Sequence, residues 1–375
     1  MHERRNRTAA FAVLALFGLG IAGWLYVWLL GVLRFWGAGM LAARLLAVML
    51  ALGALCAAFI RPIPVRVRSI AVLYVILFSL LFELLRGVLA WAAPAFSAPG
   101  WICRGGGAAL GATAAMLIYG LLHGRRMVLT RYTLETPLSV PDGEVCIALI
   151  SDVHMGLTID EARLKRELNR LAVEQPDVLI VAGDLADDWT TPEQMRAVCA
   201  LVGAFPAKHG VFFTYGNHDL ASHGPTPPYT RAELDAALTG ANVRILDDQS
   251  VVAAGVNLVG RHDAGFSRHP ERAPLGKLLA GLDRNLPVIC IDHQPRERQE
   301  AAAAGVTLHL SGHTHAGQIW PMSWISRLSG AGYGHRRIGS MDAIISAGMG
   351  NRGSVLRSGC TAEMVLIRLI GTKQE

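Results

Sequence analysis

Residues 306–320 read VTLHLSGHTHAGQIW, a strand-like run that ends in two histidines. The apolar part has the length of a buried strand, and Ser311 and Gly312 release the chain into a loop. His313 and His315 then lie at the C-terminal edge of that strand, where ligands collect in α/β sheets. Two histidines at i and i+2 point the same way from extended backbone, which suits adjacent metal positions. Taken alone, the pair is equally compatible with one histidine that caps the turn and another that is solvated. The residues that follow the other strands distinguish between these two possibilities.

Four other apolar strand-like runs end in similar side chains. VCIALI is followed by Asp152 and His154, VLIVA by Asp184 and Asp187, VFFTY by Asn217 and His218, and VICI by Asp292 and His293. Carboxylate, imidazole and carboxamide donors suit borderline divalent ions such as Mn, Fe or Zn. Five such endings in series, at the edge of what we expect to be one sheet, are hard to explain as solvated loops.

Strands and helices alternate from residue 131 onward. RYTLETPLSV alternates like an edge strand, and Asp160 is a candidate N-cap for a helix in which leucines recur at helical spacing. Further helices are expected near residues 191–205, 231–238, 275–282 and 297–304. This alternation predicts α/β layers. The late strand signals near 342–346 and 363–369 predict a second, more antiparallel sheet.

The first third of the chain is membrane-like. Hydrophobic residues make up 52% of the 375 residues, and the excess lies in four apolar stretches, 9–30, 39–60, 69–92 and 105–122. Each is about long enough to cross a ~30 Å hydrocarbon core as a helix. The first has no signal-peptide cleavage pattern. We therefore expect about four transmembrane helices in residues 1–125, a linker and edge strand in 126–142, and an α/β domain in 143–372.

Charge is divided in the same way as hydropathy. The net charge of +6 is the sum of +11 in residues 1–131 and −5 in the remainder. The arginines cluster before the first apolar stretch, between the second and third, and after the fourth, which places these segments in the cytoplasm by the positive-inside rule. We expect a multi-pass protein of the cell (inner) membrane with a cytoplasmic α/β domain. The acidic balance of that domain disfavours a nucleic-acid partner.

Three charged residues lie within the apolar stretches, namely Arg44, Glu83 and Arg86. Glu83 and Arg86 can pair at i, i+3, although contact with a lipid head group or a partner is an alternative. The six cysteines are scattered, with no CxxC spacing. Single, strand-embedded thiols indicate a reducing compartment, which agrees with the cytoplasmic expectation.

The order DVH, GDLAD, GNHD, a lone histidine after a strand, and GHTH resembles the calcineurin-like metallophosphoesterases over residues 143–370. GHTHAGQIW and the later GMGNRGSVLRSGC are similar to the bacterial, membrane-anchored branch of that superfamily. The resemblance implies an α/β fold, a four-layer αββα sandwich with two metals at the strand ends. It also implies a hydroxide, bridged between the metals, that attacks phosphorus in line with the leaving group.

The resemblance also implies a role for each strand-end residue. One metal would be bound by Asp152, His154 and His315, the other by Asn217, His293 and His313, and Asp184 would bridge them. His218 would protonate the leaving oxygen while Asp187 holds its other nitrogen. The roles of the other polar side chains near these motifs remain open. His309 is expected to be a packed strand residue, Asp219 to lie behind the ligands, and His262 and Asp263 to be loop residues, whereas Asp292 has no assigned role. The candidates for a phosphate contact are four arginines, Arg336, Arg337, Arg352 and Arg357.

Three functions are compatible with these features. The leading hypothesis is a membrane-anchored hydrolase of a phosphodiester or pyrophosphate, and the basic segments and multiple spans favour a lipid-linked substrate and contact with membrane lipids. The first alternative is hydrolysis of a soluble phosphomonoester or nucleotide. The second is a non-catalytic membrane sensor or transport component, but structural metal sites are usually cysteine-rich, and no ligand of the catalytic pattern is missing here.

Overall fold

The computed structural model describes residues 2–59, 65–93, 104–187, 189–220, 228–265, 272–328 and 332–373. The chain forms two compact units, Met1–Gly120 and Leu121–Glu375. The first unit contains α1 (His2–Phe35), α2 (Met40–Phe59), α3 (Val65–Ala92) and most of α4 (Gly107–His123).

Two stretches in the first unit, Gly18–Phe35 and Val67–Ala92, are long and apolar enough to cross a membrane. The apolar stretches Met40–Ala54 and Gly107–His123 are shorter. The described residues therefore contain two candidate spans by length and composition, and the other two predicted spans stay predictions. The end of the second predicted span, residue 60, lies outside the described part of the chain.

Small residues and one ion pair organise this first unit. Ala43, Ala47 and Ala51 repeat every fourth residue along α2 and are buried, as in close helix packing. Glu83 and Arg86 pair at 2.8 Å, as their spacing predicts. Large apolar side chains elsewhere on these helices are exposed, including Trp91 at 86%. Exposed apolar surface of this extent is typical of membrane or protein contact.

The second unit contains two six-stranded sheets. The strands of the first, in chain order, are β1 (Met127–Val140), β2 (Glu144–Ile150), β3 (Val178–Ala182), β4 (Val211–Thr214), β5 (Val243–Ile245) and β12 (Ala362–Lys373). Their spatial order is β1-β12-β2-β3-β4-β5, with β2 to β5 parallel and β12 antiparallel to β2. A short 3-10 turn, Pro141–Gly143, joins β1 to β2.

The second sheet is formed by the later strands. They are β6 (Gln249–Ala253), β7 (Val256–Gly260), β8 (Val288–Ile291), β9 (Leu308–Ser311), β10 (Gly334–Ile338) and β11 (Met341–Ile345). Their order is β10-β11-β9-β8-β7-β6, parallel in the middle and antiparallel only at the two edges. The second sheet has two antiparallel strand pairs and the first has one, so the expectation of a second, more antiparallel sheet is confirmed. Of the two late strands only β11 joins it, because β12 returns to the first sheet.

Helices connect the strands of the second unit, and five of them pack on the outer faces of the sheets. The helices are α5 (Glu161–Ala172), α6 (Pro192–Gly203), α7 (Asn217–Leu220), α8 (Arg231–Gly240), α9 (Leu275–Leu279), α10 (Arg298–Ala303) and α11 (Met322–Leu328). Their starts are fixed by local chemistry: the Asp160 side chain caps α5, and capping boxes open α6 and α8.

Alternation along the strands produces the layers. Ile150 and Val181 pack with Leu164 of α5 on the outer face of the first sheet. Their neighbours Leu149 and Ile180 point the other way and pack with second-sheet residues such as those of β8 and β9. A further cluster joins α9 and α10 to the opposite face of the second sheet. The predicted α/β sandwich with two sheets is confirmed.

Candidate metal centre

The predicted site residues come from the ends of both sheets. β2, β3 and β4 of the first sheet end before Asp152, Asp184 and Asn217, and β8 and β9 of the second end before His293 and His313. The expectation that they lie at the edge of one sheet was wrong. Because the two sheets are stacked, their carboxyl ends meet along one side of the sandwich and bring the five strand ends together.

Three side chains form a buried first cluster: Asp152, His154 and His315. The Nε2 atoms of His154 and His315 lie 3.0 Å apart, and the rings stack at 4.9 Å between centroids. His315 Nε2 is also 3.4 Å from an Asp152 carboxylate oxygen. Burial and the neighbouring charge of His154 hold the pKa of His315 well below its usual value. This imidazole is therefore neutral and retains a lone pair for a ligand.

A second cluster is formed by Asp184, His293 and His313. Asp184 Oδ2 lies 3.2 Å from His293 Nε2 and 3.6 Å from His154 Nε2, so its carboxylate stands between the two clusters. Asn217 joins the second cluster, with Oδ1 at 2.8 Å from His313 Nδ1. Burial opposes charge on His293, but Asp184 outweighs burial and raises the pKa of His293 well above its usual value.

Each cluster has the donor atoms and spacing of a divalent-metal site. Two ligand nitrogens about 2.1 Å from one ion lie about 3 Å apart at a right angle, close to the spacing of the His154 and His315 nitrogens. His293 Nδ1 lies 2.8 Å from the Ala182 carbonyl and donates to it, so Nε2 is the nitrogen available to a ligand. His293 Nε2 is buried and lies 3.2 Å from Asp184 Oδ2 without hydrogen-bond geometry. A cation would account for this buried, unsatisfied nitrogen.

Several of these candidate ligands have a strained, left-handed backbone conformation. Asp152, His154, Asp184, His313 and His315 all have φ between 45° and 70°, the left-handed region that non-glycine residues avoid. Such residues cost about 1–3 kcal/mol each and are found where the surroundings over-determine them. Gly183, directly before Asp184, allows the approach of β4 and His293, because a Cβ there would lie 2.6 Å from Gly216 N and from His293 Nδ1.

Asp187 holds two imidazoles at once. Its Oδ2 lies 3.0 Å from His154 Nδ1, and its Oδ1 lies 3.2 Å from His218 Nδ1. Burial would raise the pKa of Asp187, but the two histidines lower it below its usual range. The sequence pattern suggested only the contact with His218. The contact with His154 turns Asp187 into a link between a candidate ligand and the candidate acid.

Asp219 stands behind the site as a backbone clamp. Its carboxylate accepts hydrogen bonds from the main-chain nitrogens of Asp184, Leu185, Ala186 and Gly216 at 2.7–3.1 Å. These four bonds fix the loop after β3 against the loop after β4. Burial and the nearby charge of Asp184 raise the pKa of Asp219 to about 7.

Residues 146–317, which contain both clusters, match the family model described as calcineurin-like phosphoesterase. This stretch is a calcineurin-like phosphoesterase domain. The family resemblance found in the motifs is confirmed, and the domain is that of a metal-dependent phosphoesterase.

Related proteins share this domain. An uncharacterized metallophosphoesterase of Helicobacter pylori (strain J99) is 29% identical over 247 residues, which are 64% of this chain and 64% of that protein. A Bos taurus transmembrane protein with metallophosphoesterase domain is 28% identical, over 56% of this chain and 50% of that one. The match covers less than two thirds of either relative. A crystal structure of a dimetal phosphatase from Danio rerio aligns at 14% identity and a TM-score of 0.37, over 54% of this chain and 87% of that chain.

Other polar residues of the phosphoesterase domain lie outside the two clusters. His309 is buried within β9 beside the Ser311 hydroxyl, and burial lowers its pKa to about 3. Asp292 is held by Arg272 through two contacts of 2.8 and 3.2 Å. His262 pairs with Asp247 at 2.6 Å. Asp263 accepts hydrogen bonds from the Gln294 side chain.

The four candidate phosphate arginines have different surroundings. Arg357 is fully buried and donates to main-chain carbonyls of Gly348 and Gly350, so it supports the loop that carries it. Arg336 and Arg337 are exposed on β10. Arg352 is half-buried, and its charge contributes to lowering the pKa values of His313 and His315. Of the four, Arg352 therefore has both partial exposure and an electrostatic effect on both clusters.

Proposed function

We propose that this chain is a membrane-associated, dinuclear-metal hydrolase of phosphodiesters or pyrophosphates. The single observation that carries the proposal is the position of the Asp184 carboxylate, 3.2 Å from His293 and 3.6 Å from His154, between two clusters of metal-type ligands. A shared anionic ligand is what two divalent ions ~3.5–4 Å apart require.

The proposed ligand sets follow the two clusters. Asp152, His154 and His315 would bind one ion, Asn217, His293 and His313 would bind the other, and Asp184 would bridge them. Nitrogen and oxygen donors without thiolate accept Mn, Fe and Zn alike. When bound, such ions acidify a water molecule and offset the negative charge of phosphate oxygens.

His218 is the proposed general acid. Its main-chain nitrogen donates to Asp184 Oδ1 at 2.9 Å, which fixes the residue beside the bridging carboxylate. Because Asp187 lies at 3.2 Å from Nδ1, the proton for a leaving oxygen would come from Nε2. Asp187 would also orient this imidazole.

Arg352 is the proposed phosphate contact. Its charge reaches His313 and His315, and the structure shows no carboxylate partner for it among the described residues. An arginine that is half-buried and not neutralised beside a metal site can bind non-bridging phosphate oxygens in a bidentate manner.

The proposal extends to the membrane. Two candidate spans and the arginine distribution support a multi-pass protein of the cell (inner) membrane with its phosphoesterase domain in the cytoplasm. A catalytic domain tethered to a bilayer meets lipid-linked phosphoesters at high effective concentration. A lipid-linked phosphodiester or pyrophosphate is therefore the favoured substrate class.

The test is an activity screen of the full chain in detergent, reconstituted with Mn, Fe or Zn. Soluble phosphodiester, phosphomonoester and lipid pyrophosphate reporters are compared for wild type and His218→Ala. We expect metal-dependent hydrolysis of diesters or pyrophosphates, slowed in the variant without loss of metal. Preferred hydrolysis of a monoester would replace the substrate class. No turnover with both ions bound would favour the non-catalytic alternative.

A further inference from the structure

A short apolar helix follows the metal-ligand loop directly. Helix α11 has seven residues, and four of its large apolar side chains are exposed: Met322 at 48%, Trp324 at 60%, Ile325 at 52% and Leu328 at 88%. Single exposed apolar residues are ordinary, but four within two turns form a patch. The patch includes a tryptophan, a residue enriched where proteins meet the bilayer interface.

This helix is fixed to the metal centre. Gly317, two residues after His315, packs so closely on the start of α11 that a Cβ there would lie 2.6 Å from the Met322 carbonyl oxygen. The Gln318 carbonyl accepts hydrogen bonds from Ser358 N at 3.0 Å and Gly359 N at 2.9 Å. The loop between His315 and α11 is therefore held at both ends, and the apolar patch stays beside the candidate metal centre.

Basic side chains adjoin the patch. Arg327, in the last turn of α11, stacks over the Tyr333 ring at 5.5 Å from its centroid. Gly332 lies between Arg327 of α11 and Arg336 of β10, because a Cβ there would lie 2.9 Å from Arg327 Cα and 3.3 Å from Arg336 Nη2. Arg336 is exposed on edge strand β10 and has no carboxylate partner among the described residues. Its charge also lowers the pKa of Arg298, after the larger effect of burial.

We propose that one surface of the domain docks on an anionic lipid bilayer. This α11–β10 surface consists of Met322, Trp324, Ile325, Leu328, Arg327 and Arg336. Apolar side chains beside unneutralised arginines match the interface of a membrane with acidic head groups. The bilayer is favoured over a protein partner because the same chain carries two candidate spans, which would tether the phosphoesterase domain to a bilayer. The inference rests on the proposed function, since docking would present phosphoesters at the lipid surface to the metal centre.

The experiment measures lipid contact without needing turnover. Full-length chain, with Cys56 and Cys103 replaced by serine, carries a fluorescent label at Leu328→Cys and is reconstituted into nanodiscs of phosphatidylglycerol and phosphatidylcholine. The remaining cysteines, Cys146, Cys199, Cys290 and Cys360, are buried. The control label is at Val252→Cys, 56% exposed on β6, at the opposite edge of the same sheet from β10.

We expect nitroxide lipids to quench the label at residue 328 at least about threefold more than the label at residue 252. Arg336→Glu should reduce quenching at 328 in anionic nanodiscs. Equal quenching at the two positions overturns the proposal. The proposal is also overturned if the label at residue 328 is shielded from an aqueous quencher but is not quenched by nitroxide lipids, because a protein or a second copy of the chain then covers the surface. No effect of Arg336→Glu would overturn the part played by charge.

Turnover of a soluble phosphodiester and of a lipid pyrophosphate by the same nanodisc samples, loaded with Mn, Fe or Zn, separates the two claims. Turnover without lipid contact at residue 328 refutes the docking surface and leaves the proposed hydrolase standing. Lipid contact without turnover refutes the proposed hydrolase and leaves the surface standing.

Discussion

The two halves of the candidate centre differ in how completely the protein encloses them. In the first cluster Asp152 and His154 are fully buried and His315 is 5% exposed. In the second cluster His313 is partly exposed, although Asp184 and His293 are buried. The side chains of the first cluster are therefore enclosed by protein, and the second cluster reaches solvent through His313.

The supports of the two clusters differ as well. His154 is held by Asp187 and stacks on His315, so the first cluster is fixed by side chains. In the second cluster, His293 Nδ1 lies 2.8 Å from the main-chain carbonyl of Ala182, and His313 Nδ1 lies 2.8 Å from Asn217 Oδ1. We expect an ion in the first cluster to exchange slowly and an ion in the second to exchange faster and to meet substrate.

The largest effect is expected from the residue that the two clusters share. Asp184→Asn keeps the size of the side chain but removes the anion between His154 and His293 that would be shared by two ions. Activity should fall at least about 100-fold, and bound metal should fall below wild type. Phosphodiester turnover and metal content of the purified variant measure this. Unchanged values would remove Asp184 from the bridging position.

The second prediction separates the clusters. His315→Ala should empty the closed first site, whereas His313→Ala should empty the open second site, so each variant keeps one ion. Exchange of the remaining ion should be slow in His313→Ala and fast in His315→Ala. Metal content and chelator release kinetics measure this, with His262→Gln as the control. Loss of both ions in either variant would mean that the clusters are not independent.

The third prediction concerns the side-chain support of the first cluster. His154 and His218 face different oxygens of Asp187, and the Asp187→Asn substitution turns one of these oxygens into an NH2 group, which cannot accept a hydrogen bond. Asp187→Asn should therefore lower metal affinity or activity about 10–100-fold, and the pH profile of kcat should change because His218 loses its partner. A variant with wild-type metal affinity and an unchanged pH profile would contradict this role.

The smallest effect is expected at the open side. Arg352→Ala removes a charge that acts on His313 and His315 without removing a ligand. We expect KM to rise about 10-fold, the value of one charged hydrogen bond to phosphate, with metal content unchanged. Arg244→Ala, an exposed arginine on β5, is the matched control. An equal rise of KM in both variants would indicate a general charge effect instead.

Much of this centre can be predicted from sequence because its residues follow strand ends. Asp184, Asn217 and His293 each stand one residue beyond the end of an apolar run, and parallel strands bring such positions to one edge. The motif order then points to the family. The assignment of β8 and β9 to a separate sheet could not be predicted, because it depends on pairing between segments distant in the chain.

Other features have no local signal. Asp152 and His313 adopt left-handed backbone although their residue types do not demand it, and only the surrounding fold imposes it. Helix α11 is seven residues long and apolar, a length at which helix and strand patterns are hard to separate. The contact of Asp187 with His154 also joins side chains whose spacing in sequence carries no pattern.

The most direct test of the central claim is electron paramagnetic resonance of the full chain loaded with Mn²⁺, together with its metal content. An Asp184 carboxylate shared by two ions ~3.5–4 Å apart predicts two Mn²⁺ per chain and a spin-coupled dinuclear spectrum. Asp184→Asn should lose that coupled spectrum. A single bound ion, or two ions with the uncoupled spectrum of isolated Mn²⁺, would contradict the account.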